Sequence, residues 1–190
     1  MAAGDITVAM GTPICWADSS DYNSANSGIT RTHQIDLTSL ADGAARQGAK
    51  ADLGATRAPG YAVKCCFELD VAPTAGTKWE VYWSSSYSGT AGTGNDGGSS
   101  VTGADAAWTP GGGAEADIDE FKRQLIMIGV MTLTADAAAT YQVATINSYF
   151  CPPTRYGQPI VKNDAGQAAE GDAVEMYIAL IPITENVAAS

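Results

Sequence analysis

The sequence predicts an all-β fold, a two-sheet antiparallel β-sandwich of jelly-roll type with about eight strands. Three observations carry that expectation. Apolar and polar residues alternate with a period of two along much of the chain, whereas helical periodicity is scarce. The alternating runs are bounded by Gly, Pro, Asn, Asp and Ser, the residues that make turns. A chain of 190 residues, 45% of them apolar, suits one all-β domain with a buried core and is short for two domains and a linker.

Taken in order, residues 1–29 read as an extended N-terminal arm, rich in small and polar residues, and residues 30–190 as the single sandwich domain. The first strand is expected over 30–37. Over 60–70, Tyr61, Val63, Cys65, Phe67 and Leu69 share one face, set against Ala62, Lys64, Cys66, Glu68 and Asp70 on the other. That pattern predicts one buried and one wet face. Residues 78–84 place Trp79, Val81 and Trp83 on one face, which reads as core. The short connection over 71–76 predicts that these two strands pair as neighbours. Residues 84–113 form a long Gly/Ser-rich loop whose only large apolar residues are Tyr87, Val101 and Trp108, so it is expected to be the most mobile part of the chain. A helical turn is expected over 114–121, with Ile118, Phe121 and Leu125 on one side. The run 123–134 is apolar on both faces and reads as a central strand. Strands over 140–150, 159–162 and 173–183 complete the domain.

Lys and Arg number 10 against 21 Asp and Glu, a net charge of −11. Polyphosphate binding relies on clustered cations, so nucleic acid is not an expected partner. No run approaches the roughly 20 apolar residues of a membrane helix, so no membrane association is expected. The first residues show neither a basic n-region nor an apolar h-region, and synthesis in a reducing cytoplasm follows as the expectation. Cys15, Cys65, Cys66 and Cys151 are therefore read as free thiols. Cys65 and Cys66, as strand neighbours, point to opposite faces and lack the C-x-x-C spacing of a metal pair.

The motifs for catalysis are missing. His33 is the sole histidine and stands in a strand-like run, half-exposed; no Gly-x-Ser-x-Gly elbow accompanies it. Asp117, Asp119 and Glu120 read as the acidic first turn of a helix. Asn95-Asp96-Gly97-Gly98 lacks the alternating ligands of a calcium loop, and Gly92 and Gly94 lack the strand-turn-helix setting of a nucleotide fingerprint. No catalytic, cofactor-binding or metal-binding residues are expected, and the chain is read as a non-enzyme.

Two segments carry a resemblance. Residues 37–48, with Asp52-Leu53-Gly54 after them, and the run Arg155-Tyr156-Gly157-Gln158-Pro159-Ile160-Val161-Lys162-Asn163 are similar to stretches of small virion structural proteins of tailed bacteriophages. The order of elements between them extends that similarity over most of residues 30–183. The resemblance implies a capsid-surface decoration or cement subunit, made in the host cytoplasm and located on the virion, whose partners are the major capsid protein and itself, a trimer being favoured. It implies no catalytic residue. Tyr22, Tyr87, Trp108, Arg155 and Tyr156 are the candidate contact residues. The alternative is a carbohydrate- or receptor-binding sandwich that uses exposed aromatics among Trp79, Trp83, Tyr87 and Trp108. Arg155 has two candidate roles, pairing with a carboxylate of its own domain or with a partner, and the internal role is favoured because the turn sets the register of the next strand. Gly157 is expected to adopt a backbone angle that a Cβ would resist.

Overall fold

A computed structural model describes residues 6–187 of the chain. Residues 1–5 of the expected arm lie outside the described residues. Along the chain run β1 (Ile6–Met10), β2 (Ile14–Ala17), α1 (Ser24–Ser27), β3 (His33–Gln34), β4 (Ala45–Gln47), β5 (Ala51–Asp52), β6 (Gly60–Phe67), β7 (Lys78–Ser86), β8 (Ala106–Ala107), α2 (Glu115–Phe121), β9 (Ile126–Thr132), β10 (Gln142–Phe150), β11 (Tyr156–Asp164) and β12 (Tyr177–Val187). They form the expected two-sheet sandwich, with twelve strands because several are only two or three residues long. The first sheet has the order β10-β6-β12-β2-β3, with β1 also on β12; the second has the order β8-β4-β11-β7-β9, with β5 also on β11. All pairings are antiparallel except β2 with β3. Neither helix is long or apolar enough to cross a membrane.

The core lies between the sheets. Trp79, Val81 and Trp83 of β7 face Val63, Cys65 and Phe67 of β6, and Phe67 stacks on Trp79 with ring centres 4.6 Å apart. This contact corrects the expected pairing of the two strands. β6 and β7 belong to different sheets, and the connection between them crosses the sandwich, because each presents its aromatic face to the other and not its edge. The 60–70 run is also drier than expected. Cys66 and Glu68 on its second face are buried: Tyr22 and Ile29 flanking α1 lie over Cys66, with Tyr22 against Tyr177, and the segment 170–175 meets Glu68.

The expected arm is likewise largely part of the sandwich. β2 sits between β12 and β3, Cys15 and Trp16 are fully buried, and the Trp16 indole Nε1 donates to the Ala49 carbonyl at 2.7 Å. The strand expected over 30–37 shortens to β3. The 123–134 run, expected in the centre, supplies β9 at a sheet edge; its second apolar set, including Met127 and Val130, faces outward. β9 and β10 meet along this flank. Asn147 Nδ2 donates to the Ile128 carbonyl at 2.8 Å, and a Cβ on Gly129 would stand 2.7 Å from the Ile146 carbonyl oxygen.

Residues 84–113 do not form a loose loop. Ser84–Ser86 belong to β7, and the remainder folds over the outer face of the second sheet. There Val101, Trp108, Ile118 and Leu125 pack with Tyr82, Ile160 and Ala45. α2 has the expected place, with Ile118 buried and Phe121 packed against this cluster. Beside it lies a charge network. Glu80 accepts from Lys78, Lys122 and Tyr82 at 2.7 Å each, and Lys162, only 2% exposed, reaches Asp119 at 2.9 Å and Glu115 at 3.3 Å. Burial opposes ionisation of Glu80, but its three donors outweigh that and hold its carboxyl down at about 2. Glu115 and Asp119 of α2 thus serve as partners for the buried Lys162, and Asp119 for Lys122 as well.

Candidate interaction surface

The structure brings together three of the five candidate contact residues. Tyr87 follows the end of β7, Tyr156 begins β11, and β7 and β11 pair there, Ser86 opposite Tyr156. With Arg57, Pro153, Thr154 and Arg155, these residues line an open cleft. Tyr87 is 83% exposed. Arg155 is exposed as well and pairs bidentately with Asp52 of β5, Nε to Oδ1 at 2.7 Å and Nη2 to Oδ2 at 2.6 Å. Its guanidinium carbon lies 5.0 Å from the centre of the Tyr156 ring. The hydrogen bond from Arg155 holds Asp52 below the ordinary carboxylate range, helped by the Gly54 amide. The internal pairing expected of Arg155 is therefore present, and it presents a planar cation across an aromatic face at the rim of the cleft.

Sequence reading missed two contributors. Arg57 joins the cleft from the loop before β6, where its Nη2 donates to the Pro153 carbonyl at 3.2 Å. Lys50 holds the Tyr87 loop: its ammonium stands 2.7–3.0 Å from Ser86 Oγ and from the carbonyl oxygens of Ser88, Thr90 and Thr93. Its partners are mainly backbone carbonyls, which carry no residue-type signal, so nothing in the sequence marks the interaction.

The remaining candidates lie elsewhere. Trp108 is 1% exposed beneath the folded-over segment, its Nε1 donating to Ser100 Oγ, and so presents no contact surface. It was expected to be exposed because the segment around it is poor in apolar residues; Val101 and Trp108 nevertheless turn inward, and Tyr87 alone of the three stays exposed. Trp79 and Trp83 are fully buried, as the core reading required. Tyr22 is half-buried on the outer face of the first sheet, donating to the Ile29 carbonyl at 2.8 Å. Gly157 sits in ordinary extended backbone within β11, not in a left-handed turn; its small size, not its freedom of φ, is what makes room for the Trp83 indole.

A second surface was not anticipated. Among the described residues, six of the ten exposed large hydrophobics are on or next to the β9–β10 flank: Ile126, Met127, Val130, Tyr141, Val143 and Tyr149. Single exposed apolar residues are ordinary, whereas a concentration of them on one flank sets that flank apart from the rest of the surface. Cys151 is exposed, while Cys15, Cys65 and Cys66 are buried, and burial pushes the thiols of Cys15 and Cys66 up to about 12, which keeps them protonated and unreactive.

The chain matches no protein-family model, no curated protein and no solved structure.

Proposed function

We propose that the chain is a non-enzymatic virion structural protein, a capsid-surface decoration subunit that binds the major capsid protein and stabilises the shell. The observation that carries this reading is the convergence of Tyr87, Arg155 and Tyr156 in one open cleft on paired strands. Tyr and Arg dominate the energetics of protein interfaces, because each presents a large, stiff contact area with a polar end. Two arginines in a chain with only 10 basic residues give the cleft a cationic rim that suits carbonyls and carboxylates of a protein partner. The resemblance in residues 37–54 and 155–163 supplies the kind of partner. The β9–β10 flank is the self-association face of this reading, and a closed symmetric oligomer, a trimer, covers it without leaving an open end.

The test is recovery of the chain on purified particles. Stoichiometric occupancy is expected, with Tyr87→Ala lowering occupancy at least tenfold at unchanged Tm, since Tyr87 contributes little to the core. Absence of the unaltered chain from particles overturns the reading. For the flank, light scattering of Met127→Glu with Val143→Glu reports a monomer where the parent chain is an oligomer.

The exposed Tyr87 ring beside Tyr156 and two guanidinium groups also favours a second reading, a carbohydrate-binding sandwich. Saturable glycan binding on an array, lost in Tyr87→Ala, selects it over the first.

A further inference from the structure

At the far end of the β6–β12 pair three carboxylates meet. Tyr177 of β12 pairs with Cys66 of β6, and Glu175 and Glu68 stand two residues beyond that last pair, where the Glu68 carbonyl accepts from the Glu170 amide. Asp172 approaches from the segment that leads into β12. One carboxylate oxygen from each of Glu68, Asp172 and Glu175 lies within 4.8 Å of the other two. Three carboxylates this close repel one another when ionised, so the arrangement calls for a cation or a proton among them.

Glu68 makes the point sharply. It is only 6% exposed, and its Oε2 is buried with no hydrogen-bond partner. A buried, unpaired carboxylate oxygen is costly unless a cation or a proton satisfies it. No lysine or arginine forms an ion pair with any of the three among the described residues. The other two are already oriented. Asn26 Nδ2 of α1 donates to Glu175 Oε1 at 2.6 Å, and Asp172 Oδ1 accepts from the Val174 amide at 3.3 Å, which leaves each with further lone pairs free.

We propose that Glu68, Asp172 and Glu175 bind a divalent cation, Ca²⁺. The donor set is all oxygen, which selects a hard cation over zinc or copper. Ca²⁺ takes oxygen at about 2.3–2.6 Å, so two of its ligands stand at most roughly 5.2 Å apart, and three oxygens all within 4.8 Å of one another can share one ion. Mg²⁺, with strict octahedral demands and reluctant dehydration, is less suited to a site where carboxylates supply the ligands. The ion ties the end of β6 to the segment preceding β12 and, through Asn26, to α1. The site is independent of the Tyr87 cleft, and its test does not involve a partner.

Calorimetric titration of the full chain with CaCl₂ and with MgCl₂, paired with melts in Ca²⁺ and in EDTA, decides it. Saturable one-site Ca²⁺ binding is expected, with a higher Tm in Ca²⁺ than in EDTA and weaker binding of Mg²⁺. Glu68→Gln, nearly isosteric, and Asp172→Asn, at an exposed position that folding tolerates, each weaken Ca²⁺ binding roughly tenfold or more, since affinity follows the count of charged ligands. No saturable heat and no Tm change up to about 10 mM Ca²⁺, beyond the roughly 0.1–1 mM dissociation constants of weak calcium modules, overturns the proposal. Equal affinity in the parent and both variants overturns it too, because the ion then binds elsewhere on the acidic surface. A Tm gain in Glu68→Gln without metal, together with loss of Ca²⁺ binding, supports the site, since the amide removes the repulsion that the ion would otherwise relieve.

Discussion

Gly157 lies flat against the indole of Trp83: a Cβ on Gly157 would stand 2.4 Å from the Trp83 ring atoms. Both residues are in the second sheet, Gly157 on β11 and Trp83 on β7, and the Trp83 ring fills the core between Trp16 and Phe150. The ring cannot retreat, so Gly157→Ala shifts either the indole or the strand. The expected destabilisation is about 1–3 kcal/mol or more, read as a lower midpoint in urea with unchanged slope. A parental midpoint would show that Trp83 has room to move.

Arg155→Lys removes the bidentate pair with Asp52 and the planar stack on Tyr156, neither of which an ammonium reproduces. Because both partners of the ion pair are exposed, only a small fall in Tm is expected. Binding of the proposed partner should fall more than stability does. Scanning calorimetry and particle occupancy, measured on the same variant, separate the two effects.

Lys50→Met takes away the single ammonium that gathers the carbonyls of Ser88, Thr90 and Thr93. Local opening of residues 87–94 should follow, while the core stays folded. Limited proteolysis is expected to cut this segment faster in the variant, with no more than a minor change in Tm. Unchanged cleavage would mean that Asn95, which donates to the Ala91 and Val101 carbonyls, suffices alone.

Trp108→Ala should destabilise the protein by about 3–5 kcal/mol, the range for removing a fully buried aromatic. The loss falls on the layer over the second sheet, so exchange protection of residues 98–125 should drop before that of β6 and β12. Uniform loss of protection would show that layer and sandwich unfold as one unit.

Glu80 governs part of the acid sensitivity. Its carboxyl is depressed in the folded protein, to about 2 against an ordinary 4.5, so the folded state favours the ionised form. The stability it contributes is fully present above about pH 4.5 and is lost as the pH falls through about 2. Glu80→Gln should make the fall of Tm between pH 4.5 and 2 shallower. It should also lower stability at pH 7 by about 1–3 kcal/mol, because Lys122 and Lys78 lose a charged acceptor. An unaltered acid slope would place the sensitivity on other carboxylates.

The sequence by itself determined the class of fold and the inner faces of β6 and β7. Period-two alternation is a local property, and burial follows it directly: Trp79, Val81 and Trp83, or Val63, Cys65 and Phe67, are core because no other face is available to them. It determined α2 in the same way, from the spacing of Ile118 and Phe121. Only the tertiary structure decided which strands are neighbours. The chain alternates identically whether β6 and β7 pair in one sheet or face each other across two, and the choice rests on the stacking of Phe67 on Trp79 and on the strands that arrive later, β10, β11 and β12. The same holds for the sites. Tyr87, Arg155 and Tyr156 were legible one at a time as exposed aromatic or cationic side chains, but their meeting depends on the pairing of β7 with β11. Glu68 carried no signal at all, because a carboxylate on the expected wet face is unremarkable until the segment carrying Glu170, Asp172 and Glu175 is brought against it.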